Sequence, residues 1–360
     1  MTVLLSDGHG SLQQALGDIL DAFSADIDWT RGVFVKPNVV FPVKPGSLEI
    51  TSPVLARVFI EALRERYGDL DIVLGEGVAV GRNAEENFRV SGFTRLAREL
   101  GIPLIDLNDA ERRAVTWKFG ELKLPSIALD RVYINLPILK YSSACVISGA
   151  QKNQKGLLLP GVKKQFHQRL GLHEPIAALN AAVKPSLTIL DCSRFFGPNV
   201  FISGDNCGEI DATACDLLGI EQPEHVRLAG SAQVFAAGFA VHGDRSHIKR
   251  IAARPEAKEA KCVGRLRLWS NSRACTGCRS IFSDMKRDVS KPRNLRAKAK
   301  LAAHSIRGAE IVMGSSPYWR REHKTVICIG SCTKRLADEN GYIHVPGCPP
   351  TLDDFYDYLP

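Results

Sequence analysis

The sequence predicts an α/β protein with a mixed, largely parallel sheet and helices on both faces, followed by a smaller, cysteine-rich C-terminal domain. Three observations lead to this prediction. Short apolar segments alternate with amphipathic ones through the first two thirds of the chain, which is typical of strands connected by helices. The sign of the charge changes near residue 245. Five of the ten cysteines lie between residues 275 and 348.

The first half of the chain begins with helices and strands in alternation. Apolar residues recur at helical spacing over residues 11–23, and a buried strand is predicted over residues 32–36. A Thr-Ser-Pro sequence then starts a helix over residues 51–67, because proline is favoured in the first helical turn. The remaining predictions here are a strand over 71–74, a helix over 88–100, a strand over 103–107 and a hairpin around 117–124.

The second half of the α/β region continues the same pattern. A strand is predicted over residues 131–135, and a polar, basic loop covers residues 151–167. A helix over 174–183 precedes a strand over 187–190, which ends at Asp191. Another helix is predicted from Asp211 to Leu218, because Gly219 provides a stop signal.

Polar residues follow the carboxyl ends of the predicted strands, which is where open α/β sheets bind their ligands. Lysines and amides at this edge suit an anionic small molecule, which they would bind by charge-assisted hydrogen bonds. The predicted substrate-binding residues are Lys36, Asn38, Glu76, Lys152, Asn153 and Lys155. The glycines at 75, 77 and 81 lack the spacing of a dinucleotide-binding motif, so no such site is predicted.

Three residues are candidates for catalysis: His167, Lys140 and Asp191. His167 is a candidate acid or base because the unperturbed pKa of histidine lies near neutrality. Structural alternatives stay open for each kind of residue. A strand-end lysine can simply be solvated, a single loop histidine can be inert, and Asp211 can cap the helix that it begins.

The positive charge of the chain belongs to its cysteine-bearing part. Residues 246–360 contain 22 Lys and Arg against 11 Asp and Glu, whereas the preceding residues contain 25 against 28. We therefore place a domain boundary between an α/β domain, 1–245, and a basic domain, 246–360. The densest run of basic residues, 286–300, is predicted to be either a solvated helix face or a surface that binds an acidic partner. It lacks interleaved aromatic residues, which argues against nucleic acid.

The cysteines of the basic domain have the spacing of metal ligands. Cys275 and Cys278 form a Cys-x-x-Cys pair, and Cys348 lies in a Pro-Gly-Cys-Pro-Pro turn. That turn resembles the cluster-ligand turn in the small subunits of respiratory NADH–quinone oxidoreductases and nickel–iron hydrogenases. A [4Fe–4S] cluster is the preferred interpretation. Structural zinc and a redox disulfide remain as alternatives.

A fourth ligand is needed, and two cysteines are candidates. We favour Cys332, which follows Gly330 and Ser331 where a strand has just ended. Cys328 is the alternate ligand, because it lies within an apolar strand where a cysteine is usually a small core residue. The other five cysteines are expected to be buried, reduced thiols: Cys145, Cys192, Cys207, Cys215 and Cys262.

The sequence contains neither a signal-peptide pattern at its first residues nor a run of 18 apolar residues. These features predict a cytoplasmic protein that does not interact with a membrane. In that reducing compartment, clustered cysteines indicate a metal centre before a disulfide.

Seven short motifs together resemble the family catalogued as domain of unknown function 362. They agree with that family in order over roughly residues 30–240. The motifs are Lys36-Pro-Asn38, Gly75-Glu-Gly77, Ser91-Gly-Phe93, Asn135-Leu-Pro-Ile-Leu-Lys140, Lys152-Asn-Gln-Lys-Gly156, His167 and the segment from Asp211 to Gly219. The resemblance implies an α/β fold and an iron–sulfur cofactor. The chain departs from the family's tandem ferredoxin pattern, because its candidate ligands are spread over residues 275–348.

The leading functional hypothesis is a cytoplasmic iron–sulfur oxidoreductase. Its C-terminal [4Fe–4S] cluster would pass electrons to an anionic small molecule or to a partner, and an acidic ferredoxin- or flavodoxin-like protein would donate them. A second hypothesis is a binding or regulatory module with a structural metal and a basic face for an acidic partner or RNA. A third is a non-redox, metal-dependent lyase or transferase.

Overall fold

The computed structural model divides the chain into two compact units. The first consists of Met1–Lys140 and Ser148–Ile251, and the second of Tyr141–Ile147 and Ala252–Pro360. The structure describes residues 3–79, 82–142, 145–231, 241–244, 246, 248, 258–270, 278, 281, 295–314, 321–347, 350 and 352–358.

The first unit is built on a sheet of eight strands. In chain order, the strands up to residue 242 are β1 (Val3–Asp7), β2 (Val33–Pro37), β3 (Ile72–Glu76), β4 (Leu104–Asp106), β5 (Arg112–Trp117), β6 (Gly120–Pro125), β7 (Val132–Leu136), β8 (Lys140–Ser142), β9 (Val146–Ser148), β10 (Leu187–Asp191), β11 (Val200–Gly204) and β12 (Val241–His242). The order in the large sheet is β12-β1-β11-β10-β7-β2-β3-β4, while β5 pairs with β6. Strand β8 pairs with β9, and residues 141–147 of this pair belong to the second unit.

The large sheet is mixed and largely parallel, as the sequence predicts. Strands β10, β7, β2, β3 and β4 are parallel neighbours, and β1 pairs in parallel with β12. Only β11 runs against its neighbours, because it pairs antiparallel with both β1 and β10. The carboxyl ends of β2, β3 and β7 therefore meet at one edge of the sheet.

Helices lie on both faces of this sheet, which confirms the predicted fold class. They are α1 (Leu12–Phe23), α2 (Pro53–Tyr67), α3 (Ala84–Ser91), α4 (Phe93–Leu100), α5 (Ile127–Asp130), α6 (Ala150–Asn153), α7 (Pro160–Gln168), α8 (His173–Ala182), α9 (Ser193–Phe196), α10 (Cys207–Leu218) and α11 (Glu224–Ser231). Leu16, Phe59 and Phe93 of three helices pack on Val33 and Val35 of β2. Because side chains alternate along a strand, Phe34 faces the other side, where α6 contacts β7 and α10 contacts β11.

Three predicted elements are corrected by the structure. The predicted helix over 88–100 is two helices, because Gly92 between them adopts a positive φ of 86°. The predicted polar loop over 151–167 is mainly helical, comprising α6, a 3-10 helix (Gln154–Leu157) and α7. The helix predicted to begin at Asp211 begins at Cys207, where the Asn206 side chain caps it.

The second unit contains a five-stranded sheet. Its strands are β13 (Lys258–Val263), β14 (Leu266–Ser270), β15 (Ala309–Met313), β16 (Val326–Ile329) and β17 (Ile343–Val345), and its helices are α12 (Leu295–Arg307), α13 (Lys334–Asn340) and α14 (Leu352–Tyr358). The strands follow chain order in the sheet, and all are parallel except the β13–β14 pair. Among the described helices of the chain, none is long and apolar enough to cross a membrane.

Candidate functional site

A fully buried ion pair connects the ends of β2 and β3. Lys36 Nζ lies 2.9 Å from Glu76 Oε1, and both side chains are inaccessible to solvent. The Glu76 carboxylate also accepts hydrogen bonds from the backbone N–H groups of Val39 (3.1 Å) and Gly77 (2.8 Å). Burial lowers the pKa of Lys36, while the negative charge of Glu76 opposes that shift. The pair therefore anchors both segments that leave the strands at this edge.

A second buried lysine, Lys163, lies beside this ion pair. Its Nζ donates hydrogen bonds to the carbonyl oxygens of Gly77 (2.9 Å) and Val78 (3.0 Å). Burial lowers its pKa to about 8, although the nearby charge of Glu76 acts in the opposite direction. The sequence placed Lys163 only in the basic loop over residues 151–167, whose lysines suit an anionic ligand. The Pro160-Gly161 start signal for α7 would have placed it in the first turn of a helix.

A chain of hydrogen-bonded amides extends from Lys140 across the same edge of the sheet. Lys140 Nζ donates to Asn38 Oδ1 (2.7 Å), and Asn38 Nδ2 donates to Asn153 Oδ1 (2.9 Å). In turn, Asn153 Nδ2 donates to Asn135 Oδ1 (2.8 Å). An ammonium group can only donate, so the orientation of each following amide is determined by the one before it. Four of the predicted or motif residues thus form one directed network.

The amide network ends at a buried thiol. Cys207 Sγ lies 3.6 Å from Asn135 Nδ2, 3.3 Å from Gln154 Nε2 and 3.5 Å from Thr188 Oγ1. Burial raises the pKa of Cys207 to about 12, in spite of these hydrogen bonds. The thiol is therefore neutral at physiological pH. It is part of the buried packing rather than a nucleophile.

Asp211 caps a helix other than its own. It lies within α10, and its carboxylate accepts the backbone N–H groups of Ala150 (2.7 Å) and Gln151 (3.0 Å), which begin α6. The expectation that Asp211 caps the helix it begins is therefore wrong. Burial raises its pKa to about 7, and the two backbone hydrogen bonds only partly offset that effect. Asp211 replaces the cap that Gly149, the residue before α6, cannot provide.

This buried carboxyl predicts a specific pH dependence of stability. The pKa of Asp211 rises from 3.8 to about 7 on folding, so the folded state holds its proton over a pH range in which the unfolded state has lost it. The stabilisation that comes from the protonated Asp211 carboxyl is complete below pH 3.8 and is lost as the pH rises to about 7. We expect the free energy of unfolding of the wild type, relative to Asp211→Asn, to fall between these pH values by up to about 1.4 kcal/mol per pH unit.

Chemical denaturation of both proteins across this pH range measures the effect. Asp216→Asn is the matched control, because Asp216 is an exposed residue of the same helix. Its stability difference from the wild type should show no comparable trend. A pH-independent difference between the wild type and Asp211→Asn would contradict the raised pKa.

The backbone of Gly156 lies against the buried ion pair. A Cβ atom added to this residue would overlap Glu76 Oε1 and lie 2.6 Å from Lys36 Nζ. We expect Gly156→Ala to reduce the free energy of unfolding by about 3 kcal/mol, because neither buried charge can move away without losing its partner. Gly161→Ala is the control, since a Cβ at Gly161 would meet no atom within 4 Å. Equal stability of the two variants in thermal unfolding would contradict this assignment.

The other predicted site residues occupy different environments. Asp191 is buried and accepts the Ser193 backbone N–H at 2.9 Å, and burial raises its pKa. Lys152 and Lys155 are half-buried, and Lys155 Nζ lies 5.6 Å from the centre of the Phe166 ring. His167 belongs to α7, but its side chain lies outside the part that the structure describes. Five predicted residues are thus buried: Lys36 and Glu76 in the ion pair, and Lys140, Asn38 and Asn153 in the amide network.

In the second unit, two cysteines lie around one glycine. Gly330 has a positive φ of 91°, and a Cβ added to it would lie 3.0 Å from Cys278 Sγ and 3.8 Å from Cys332 Sγ. The two sulfurs are therefore no farther apart than the sum of these distances. The carbonyl oxygen of Gly347 accepts the backbone N–H of Ser331 at 2.8 Å, which holds residues 331 and 347 together. Of the other predicted ligands, Cys275 and Cys348 lie outside the described residues.

Cys328 points away from this pair. It packs with Val312 and Ala337 on one face of the sheet, whereas its neighbour Ile329 packs with Cys278 on the other. The alternation of side chains along β16 produces this separation. Burial raises the pKa of Cys328 to about 12, which favours the neutral thiol of a core residue. Four of the cysteines expected to be buried are buried: Cys145, Cys192, Cys207 and Cys215. The fifth, Cys262, belongs to β13, but its side chain lies outside the described part.

A histidine pair in the first unit was not predicted. His173 and His225 begin α8 and α11, and potential ligand atoms on the two rings lie within 4.8 Å of each other. No single-sequence signal identifies them, because they are 52 residues apart and carry no motif. The chain therefore has buried cysteine and histidine groups that can hold a metal.

Comparisons with known proteins agree with the sequence motifs. The family model described as "Domain of unknown function (DUF362)" matches residues 33–218, more than half of the 360 residues. None of the curated proteins matches the chain. A solved structure of the lactate racemase apoprotein from Thermoanaerobacterium thermosaccharolyticum is 12% identical, covering 87% of this chain and 69% of its own, with a TM-score of 0.42. Similarity at that level does not establish a shared fold. The family match confirms the resemblance found in the motifs, and the chain belongs to the DUF362 family.

Proposed function

We propose that the protein is an iron–sulfur oxidoreductase whose second unit holds one [4Fe–4S] cluster. The observation that carries the proposal is the position of Cys278 and Cys332, whose sulfurs both lie next to Gly330. Cysteine sulfur is the usual ligand of such clusters. Cys275 and Cys348 complete the set of four ligands. Cys328 is left out of it because its side chain belongs to the opposite face of the sheet.

The residues around this pair suit a cluster. Gly330 lacks a side chain at the point where one would collide with Cys278, and Ser331 connects this turn to Gly347 by a backbone and a side-chain hydrogen bond (2.8 and 3.1 Å). In the sequence, Gly347 directly precedes Cys348. When bound, the cluster supplies one-electron transfer. The excess of basic residues over 246–360 favours its reduced, more negative state and attracts an acidic donor protein of the ferredoxin or flavodoxin class.

The anionic acceptor would bind to the first unit. Lys152 and Lys155 are half-buried, so they can contact a bound anion and still pair with it strongly. The buried residues Lys36, Asn38, Glu76, Asn153 and Lys140 would position the segments that carry these lysines. His167 would supply or accept a proton, with Asp191 as a further acidic group. We place the protein in the cytoplasm.

Spectroscopy of anaerobically purified protein tests this function. We expect a broad absorption band near 400 nm, about four iron and four sulfide per chain, and an EPR signal after reduction with dithionite. Colourless protein with one zinc ion would refute the redox function and favour a binding module with a structural metal. A cluster that is present, but that no donor reduces and no acceptor oxidises, would favour a non-redox, metal-dependent enzyme.

A further inference from the structure

We propose that His173 and His225 form a metal site of their own, which binds one divalent transition-metal ion such as Zn²⁺ through the two Nδ1 atoms. The site belongs entirely to the first unit. It uses none of the residues assigned to the cluster or to the anionic substrate. The proposal is therefore independent of the proposed function.

The distance between the two ring nitrogens fits a shared ion. His173 Nδ1 and His225 Nδ1 are 3.2 Å apart. Two nitrogens that bind one tetrahedral zinc ion at the usual Zn–N distance are separated by about 3.3 Å. The two rings are tilted by 31°, with their centres 5.3 Å apart, so they converge at the Nδ1 edge rather than stacking. The two Nδ1 atoms therefore have the separation expected of two ligands of one ion.

The hydrogen bonds of His225 do not explain its burial. The residue is completely buried, and its Nε2 has no hydrogen-bond partner among the described residues. A histidine buried for structural reasons normally has its polar atoms satisfied by protein groups. The backbone N–H of His225 contacts His173 Nδ1 at 3.2 Å, and an incoming ion would compete with this contact. The described hydrogen bonds therefore leave one nitrogen of this buried ring without a partner.

The chemistry of the pair also suits a metal. The neutral imidazole is the form that binds metals, and each of these two rings offers one ring nitrogen as a ligand. Helices α8 and α11 pack against each other, which holds the two side chains on rigid elements. Two imidazoles leave positions for solvent or for another ligand.

The experiment measures Zn²⁺ binding to chelator-treated, anaerobically purified full-length protein, by calorimetry and by metal analysis. We expect one zinc per chain beyond any that replaces iron. Affinity should fall at least tenfold in both His173→Gln and His225→Gln, with iron content unchanged. His242→Gln is the matched control, because His242 is an exposed histidine of the same unit.

A second readout guards against misfolding of the buried His225→Gln variant. Zn²⁺ should raise the melting temperature of the wild type and of His242→Gln, but not that of the half-buried His173→Gln. The zinc should also persist in Cys278→Ser, which separates this site from the cluster. Absence of zinc binding by the wild type, or equal affinity in His173→Gln, would overturn the proposal.

Discussion

Cys332→Ser is expected to remove the proposed cluster, so that iron falls from about four atoms per chain to less than one. Serine keeps the size of the side chain but replaces the soft thiolate ligand. Because Cys332 lies beside Gly330 opposite Cys278, no other described sulfur can take its position without moving a strand. The 400 nm absorption and the EPR signal should disappear together with the iron.

Cys328→Ala is the matched control for this experiment. Cys328 lies four residues earlier, but its side chain is buried in the core on the other face of the sheet. We expect it to keep the full iron content and to lose about 1 kcal/mol of unfolding free energy through the missing sulfur contacts. If Cys328→Ala loses iron while Cys332→Ser keeps it, the ligand assignment is reversed. If both retain iron, the cluster is bound elsewhere.

Lys36→Met is expected to lower the free energy of unfolding of the first unit by about 3–5 kcal/mol. The substitution leaves the Glu76 carboxylate buried without its counter-charge, and an uncompensated buried charge is far more costly than a missing pair. Two backbone N–H groups still bond to that carboxylate, so part of its charge remains stabilised. Denaturant unfolding of wild type and variant measures the loss.

Two further variants establish that the effect arises from the pair. Lys36→Met combined with Glu76→Gln should recover much of the lost stability, because the uncompensated charge is gone. Lys118→Met breaks an exposed ion pair with Glu174 in the same unit and should cost less than about 1 kcal/mol. A double variant no more stable than Lys36→Met, or a Lys118→Met loss of similar size, would contradict the argument.

The sequence was sufficient to predict the class of fold and the edge of the sheet where polar residues collect. Apolar strands such as 32–36 end in polar residues, and parallel strands bring these ends together. The predicted residues Lys36 and Glu76 are indeed neighbours. Their roles were not predictable, because the local sequence around a lysine that follows a strand does not show whether its side chain is solvated or fully buried.

The segment from 151 to 167 shows the same limit. Its polar composition is that of a surface loop, yet the structure makes it mainly helical and buries Gln151, Asn153 and Gln154. Their partners lie far away in the sequence: Asp211 caps α6, and Asn38 and Asn135 bond to Asn153. Local sequence reports backbone propensity and periodicity, whereas the hydrogen bonds of Asn153 and of the start of α6 join residues far apart in the sequence.

The cysteines show both what the sequence predicts and what requires the tertiary structure. Spacing and turn residues alone predicted a metal-ligand set, and the apolar surroundings of Cys328 already favoured Cys332. That Cys278 and Cys332 lie next to the same glycine, and that Cys328 faces the other side of the sheet, required the tertiary structure. The histidine pair required it entirely. Sequence determined which chemical groups this protein carries and on which elements. Burial and proximity between distant residues arise only when those elements pack, and they decide which groups can act together.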